Sequence, residues 1–283
     1  MARIGIIGLG RMGSAIAGRM VGPGREVCGW TRSGLSVQRA ADIGITPMAT
    51  LADLATASDV MISSLYDDAA VAEVLDALSA LALTGKLFID TSTITPATLT
   101  SRAEGLGAGL VDAPIAGGPE MVANGTCVIA FGCDEDLAKR ASAALEPLTA
   151  KRQHVGPLGA GLTMKCINNS LSQVFFVGLC EQLRLAKRAG LPLDRVLDLI
   201  IAGHVSPPFL GARRDKVLGL DPKVGFPIEG LLKDNAVFQK IVSDQGGEPE
   251  GLEVAQALLE AAIADGQGEA DLAALFSHAY HSA

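Results

Sequence analysis

Gly8-Leu9-Gly10-Arg11-Met12-Gly13 follows an apolar run at 3–8 and opens a helical run that continues to Met20. A strand that feeds a GxGxxG turn into a helix leaves few options for the fold around it. The first glycine permits the tight turn, the second lets a pyrophosphate approach the backbone, and the third lets helix and strand pack closely. The helix start adds unpaired N–H groups and a partial positive charge. The spacing therefore predicts a dinucleotide site inside a βαβ unit. The second strand, at 26–30, bears on which dinucleotide. A free adenosine ribose calls for an acid about 20 residues past the turn. Cys28-Gly29-Trp30-Thr31-Arg32-Ser33 supplies none. Thr31 and Ser33 offer hydroxyls and Arg32 a guanidinium, which suits a 2′-phosphate, and Arg39 adds charge. The residues favour NADP(H) over NAD(H).

Further β-like runs stand at 59–64, 86–90, 109–112 and 127–131, with helical runs at 68–82 and 134–145 between them. Strands alternating with helices predict a parallel sheet. The loop Gly156-Pro157-Leu158-Gly159-Ala160-Gly161 marks a change, and no strand is expected beyond it. One long helix is expected over 162–189, stopped by Gly190 and Pro192. Shorter helices are expected at 193–202, 228–244, 251–264 and 269–280. The fold class read from these runs is α/β, with a dinucleotide-binding domain over 1–161 and an all-helical domain over 162–283. The segment 203–227, with His204 and Phe226-Pro227, is expected to shape a pocket.

Composition removes several function classes. Hydrophobic residues make up 49% and charged residues 19%, too apolar for a disordered chain. No apolar run reaches the roughly 20 residues of a membrane-spanning helix, and the opening apolar stretch is too short for a signal peptide. A cytoplasmic protein is expected. A net charge of -8 and 4% aromatics leave no footprint for nucleic acid. The five cysteines contain no CxxC and read as buried thiols. His278 and His281 lack a third ligand, so no metal site is expected. The helical half is apolar enough to need a partner surface, which predicts a homodimer or homotetramer.

On the long helix, Lys165, Asn169, Ser172 and Gln173 fall on one narrow stripe of a mostly apolar circumference. A lysine there is costly to bury unless it lines a wet cleft or finds partners. Asn169, one turn on, can hydrogen-bond that amine or a substrate hydroxyl. A lysine snorkelling from the helix's first turn is the alternative.

Four segments together resemble the β-hydroxyacid dehydrogenase family, which includes 3-hydroxyisobutyrate dehydrogenases and several semialdehyde reductases. They are the glycine turn, Asp112-Ala113-Pro114-Ile115-Ala116-Gly117-Gly118, Gly159-Ala160-Gly161-Leu162-Thr163-Met164-Lys165 with Asn168-Asn169, and Lys233-Asp234. Asp90-Thr91-Ser92-Thr93 and the stretch 266–271 fit as well. The resemblance implies a Rossmann domain followed by a helical domain, with the long helix between them. It implies hydride transfer between NADP and a short β-hydroxyacid or semialdehyde, a small carbonyl or hydroxyacid being the bound partner. Lys165 is implied as the acid/base and Asn169 as its helper. Leu65, Tyr66, Thr93 and Lys233 are implied near the cofactor. Ala116, Gly117, Gly118, Asn169 and Lys233 are implied near the substrate.

One departure stands out, because family members typically carry serine where this chain has Ala116. The loss of one charge-assisted hydrogen bond weakens a carboxylate substrate by roughly 1.5–3 kcal/mol. Two other readings stay open. Imine reductases resemble this architecture and use NADPH; Ala116 leans toward them, while Lys165 leans away, since they usually lack it. A non-catalytic nucleotide-binding module on the same scaffold would be expected to lose Lys165.

Overall fold

The computed structural model describes residues 2–283 and divides into two compact units, Met1–Lys165 and Cys166–Ala283. In the first unit, β1 (Ala2–Ile7) turns into α1 (Arg11–Met20), and β2 (Arg25–Trp30) leads to α2 (Val37–Ile43). The two-residue β3 (Thr46–Pro47) and α3 (Leu51–Ala57) precede β4 (Val60–Ser63), α4 (Asp68–Ser79) and β5 (Leu87–Asp90). Two short helices, α5 (Pro96–Thr100) and α6 (Ala103–Leu106), lead to β6 (Gly109–Asp112). The unit continues through β7 (Ile115–Ala116), α7 (Pro119–Ala123), β8 (Val128–Gly132), α8 (Glu135–Leu145) and β9 (Lys151–Gly156).

These strands form one sheet in the order β3-β2-β1-β4-β5-β6-β8-β7, with β9 paired to β8. The run from β3 to β6 is parallel, and β8 is antiparallel to β6 and β7. An order that reverses between β1 and β4 places a crevice at the carboxyl ends of those strands, next to Gly8 and Ser64. Both faces of the parallel strands are buried, so Ile4, Ile6, Ile62 and Ile89 pack on one side while Ile7, Met61 and Phe88 pack on the other.

α9 (Ala160–Arg188) begins in the first unit and runs into the second. There it is followed by α10 (Leu193–Ala202), α11 (Pro208–Val217), α12 (Ile228–Asp244), α13 (Glu250–Ala264) and α14 (Ala274–His281). Phe176, Leu179, Cys180 and Leu183 of α9 form this unit's main core with Leu197, Leu210, Ile228 and Phe276. A smaller cluster joins Cys166 to Phe238, Ile241 and Leu252.

The α/β class followed by a helical region is what the strand and helix spacing predicts. Several details differ. β3, β7 and β9 were not expected, since two are only two residues long and β9, Lys-Arg-Gln-His-Val-Gly, has no apolar run. α11 lies within 203–227, the segment expected to shape a pocket and given no helix; Pro208 sits in its first turn, where the fixed φ suits a helix start. α9 starts two residues early, and α14 starts at Ala274 rather than 269. The apolar circumference of α9 is also not wholly covered: Met164, Ile167, Leu171 and Val174 are exposed, while Lys165 and Asn169 are half-buried.

Candidate active site

The glycine turn is built by exclusion. Gly8 has φ +86°, a left-handed backbone, and donates its N–H to the Trp30 carbonyl at 2.9 Å. A Cβ on Gly13 would stand 1.9 Å from the Gly8 carbonyl oxygen, so only hydrogen lets α1 lie against the turn. Above Gly10 a Cβ would meet nothing within 4 Å. Gly10 caps α1 without a side-chain hydrogen bond, and no acid occupies the first turn. Leu9 is buried, Arg11 exposed and Met12 half-buried. Open space above the N–H groups of a helix start fits a pyrophosphate.

At the tip of β2, Thr31, Arg32 and Ser33 form a turn closed by the Gly34 N–H to the Thr31 carbonyl at 2.9 Å. Arg32 reaches Glu73 on α4 at 2.9 Å, with 77% and 62% of the two side chains exposed. Arg39 donates to the Leu9 carbonyl, so its guanidinium lies against the glycine turn.

The next two strand ends are stitched together by Asp90. Its Oδ1 accepts the hydroxyls of Ser63 (2.6 Å) and Ser92 (2.8 Å), and Ser92 in turn accepts the Leu65 N–H at 2.9 Å. One buried carboxyl thus fixes the loops carrying Leu65, exposed Tyr66 and half-buried Thr93. Burial pushes Asp90 up to about 6, against the lowering effect of its hydrogen bonds.

Asp112 pairs with Asp90 in strand register and is also fully buried. Its Oδ1 accepts the Gly159 N–H at 2.7 Å and its Oδ2 the Leu162 N–H at 2.6 Å. Burial likewise pushes it up to about 6, with the Asp90 charge acting in the same sense and the two N–H bonds opposing. Three residues on, the Ile115 carbonyl accepts the Lys165 ammonium Nζ at 3.1 Å. Ala116, half-buried, and exposed Gly117 and Gly118 follow directly, Gly117 with φ +139° and Gly118 with open space where a Cβ would stand. The first unit therefore brings Lys165 to the segment that ends in exposed Gly117 and Gly118.

In the second unit, Asn169 stands four residues beyond Lys165 on α9, and its Oδ1 accepts from the Asn168 amide at 2.9 Å. On α12, Lys233 pairs with Asp234 at 3.0 Å, and both are largely enclosed. Gln173, from the predicted polar stripe, is buried and accepts from Asn235 of α12 at 2.6 Å.

Residues 3–156 match the model described as the NAD binding domain of 6-phosphogluconate dehydrogenase. Residues 159–279 match the one described as NAD-binding of NADP-dependent 3-hydroxyisobutyrate dehydrogenase. A probable 3-hydroxyisobutyrate dehydrogenase of Mycobacterium tuberculosis is 30% identical over 256 residues, 87% of each chain. The chain belongs to the β-hydroxyacid dehydrogenase family. A solved Mycobacterium tuberculosis 3-hydroxyisobutyrate dehydrogenase, with L-serine, has 27% identity and a TM-score of 0.84 over 100% of this chain and 99% of that one. A Pseudomonas imine reductase shares the fold at 21% identity and a TM-score of 0.64, over 97% of this chain and 98% of that one.

As a β-hydroxyacid dehydrogenase the chain is an NAD(P)-dependent oxidoreductase acting on CH–OH groups. Among the described residues no helix is long and apolar enough to cross a membrane. Sequence reasoning gave Asp90 and Asp112 no role of their own. The available signal was an acid closing each of two apolar strand runs, Leu-Phe-Ile-Asp and Gly-Leu-Val-Asp. Water-facing strand ends rarely bury an acid without a purpose for its oxygens.

Proposed function

We propose that this family member is an NADP(H)-dependent enzyme of short β-hydroxyacids and the matching semialdehydes, working mainly as a reductase, with Lys165 as its acid/base. The observation that carries the reading is the Lys165 Nζ held 3.1 Å from the Ile115 carbonyl, one residue before the Ala116-Gly117-Gly118 backbone. An ammonium beside exposed glycine N–H groups can serve a carbonyl oxygen and a carboxylate on one short molecule. L-serine, present in the mycobacterial structure, is itself a β-hydroxyacid.

The bound dinucleotide supplies hydride transfer at the substrate carbon that bears the oxygen. The chain's share is orientation, exclusion of water and proton movement. The α1 start and the Gly8–Gly13 turn hold the pyrophosphate; Leu65, Tyr66, Thr93 and Lys233 complete the cofactor site. Thr31, Arg32 and Ser33 take the 2′-phosphate. The description of the matched C-terminal family, an NADP-dependent dehydrogenase, supports that choice. In reduction the Lys165 ammonium polarises the carbonyl and gives its proton to the developing alkoxide; in oxidation the neutral amine takes the hydroxyl proton. In the first unit the N–H groups of Gly117 and Gly118 serve the substrate; in the second, Asn169 and Lys233 have that role. The working form is a homodimer or homotetramer in the cytoplasm.

The deciding experiment follows NADPH and NADH oxidation with glyoxylate, succinic, tartronate and methylmalonate semialdehydes and a cyclic imine. Turnover of a semialdehyde with NADPH, lost in Lys165→Ala, is expected. Turnover of the imine alone overturns the substrate class, and unchanged turnover in Lys165→Ala overturns the role of the lysine.

A further inference from the structure

We infer that Asp112 is the positioning residue for Lys165, hanging the first turn of α9 on the end of β6 and thereby fixing where the amine stands. The inference rests on Lys165 as the acid/base. A helix start leaves its first N–H groups without intrahelical partners, and a local side chain commonly caps them. Here residue 159 is glycine and has no side chain to offer. The acceptors come instead from a carboxylate 47 and 50 residues earlier in the chain, one oxygen for Gly159 and one for Leu162, at 2.7 and 2.6 Å. Such charge-assisted bonds are short and directional, and an anion at a helix N-terminus is further favoured by the helix dipole.

The surroundings leave this carboxylate no other seat. A Cβ on Gly132 would stand 2.5 Å from Oδ1, and one on Gly161 would stand 2.8 Å from Oδ2. The glycines at the end of β8 and in the first turn of α9 therefore admit the backbone to the carboxylate on two sides. The Lys165 bond to Ile115 adds a second tie between the same two segments, 112–115 and 159–165. A one-residue slip of α9 moves it about 1.5 Å and turns it about 100°, breaking both ties together. Lysine has a flexible four-carbon stem, so a fixed helix turn matters more for it than for a stiff side chain.

Asp112→Asn and Gly161→Ala test this in the full-length protein. Asparagine keeps one acceptor and sets an N–H donor against the other N–H; alanine at 161 spares the carboxylate but wedges a methyl beside it. Both variants are expected to bind NADPH within about twofold of the parent, with kcat down by about 10²-fold and the substrate KM little changed, as for a misplacement near 1 Å. Lys165 should change its rate of reaction with an amine-acylating reagent, read by mass spectrometry across pH 6–10, while other lysines do not. Folded variants with unchanged kcat and unchanged Lys165 labelling overturn the inference. If Lys165→Ala retains turnover, the acid/base reading fails, yet altered labelling in Asp112→Asn still upholds the positioning. Should neither variant fold, amide exchange in the parent decides: slow Gly159 and Leu162 amides support the anchor, and exchange at unprotected rates overturns it.

Discussion

Arg32→Ala isolates the cofactor preference from everything else the glycine turn does. A charge-assisted hydrogen bond to a 2′-phosphate contributes about 1.5–3 kcal/mol. Arg32 is not idle before the phosphate arrives, because it stands 2.9 Å from Glu73. With 77% and 62% of those side chains exposed, that ion pair offsets only about 0.2–1 kcal/mol. The difference, about 0.5–2.8 kcal/mol, corresponds to a loss of roughly 2- to 100-fold in NADPH affinity. NADH, lacking the phosphate, should bind within twofold of the parent. Glu73→Gln releases the guanidinium without touching the cofactor and should tighten NADPH binding by about 1.5- to 5-fold, again sparing NADH. Fluorescence titration of both cofactors against parent and both variants measures these ratios. If Arg32→Ala weakens NADPH and NADH equally, or neither, the 2′-phosphate is not read at the tip of β2 and the argument for NADP fails.

Two further outcomes concern stability and assembly. Asp90 and Asp112 both titrate near 6 in the fold, above the ordinary carboxylate value, so their protonated forms favour folding. Their contribution is greatest below about pH 4, falls as pH rises to about 6 and is constant above; each carboxyl weighs about 3 kcal/mol against the fold at neutral pH. The melting temperature of Asp90→Asn should therefore gain on the parent's by roughly 6–12 °C between pH 4 and pH 7, and a gap constant over that interval refutes the assignment. On α9, Met164, Ile167, Leu171 and Val174 recur at the spacing of one helix face, and Leu171 is 71% exposed. Leu171→Asp should convert a sedimenting dimer or tetramer to monomer without loss of helix content; an unchanged assembly removes this face from the interface.

The apolar runs were enough to find β1, β2, β4, β5 and β6, because parallel strands buried on both faces must be continuous in hydrophobicity. The same logic missed β9, whose Lys-Arg-Gln-His-Val-Gly sequence pairs with β8 without an apolar face of its own. α12 was legible at both ends, Ile228 and Asp244, since Pro227 precedes it and polar residues with Gly246-Gly247 follow. α11 was hidden behind Pro207-Pro208, which reads as loop although a proline in the first turn begins a helix well. In the candidate site, the glycine turn is legible because each glycine answers a local steric demand. The partners of Arg32, Lys165 and Asp112 are not legible, because they stand 41, 50 and 47 to 50 residues away. Periodicity cannot report contacts made only by the tertiary fold.

The two buried carboxyls, adjacent in register, also show why one acid at a strand end differs from another. Asp90 accepts the Ser92 N–H on Oδ2 at 3.2 Å but faces the hydroxyls of Ser63 and Ser92 through Oδ1, and a hydroxyl can rotate to accept as readily as it donates. Protonation of Asp90 can therefore be met by turning a serine. Asp112 meets the fixed N–H groups of Gly159 and Leu162, one at each oxygen, and an N–H cannot accept. A proton or an amide on that side chain must either point elsewhere or oppose one of those donors. The ionised carboxylate meets both N–H groups unopposed, and those two bonds offset part of the cost of burying its charge. Asp90 therefore keeps one oxygen among adaptable hydroxyls, whereas Asp112 holds the start of α9 through a fixed N–H at each oxygen, the arrangement that sets Lys165 at the Ile115 carbonyl.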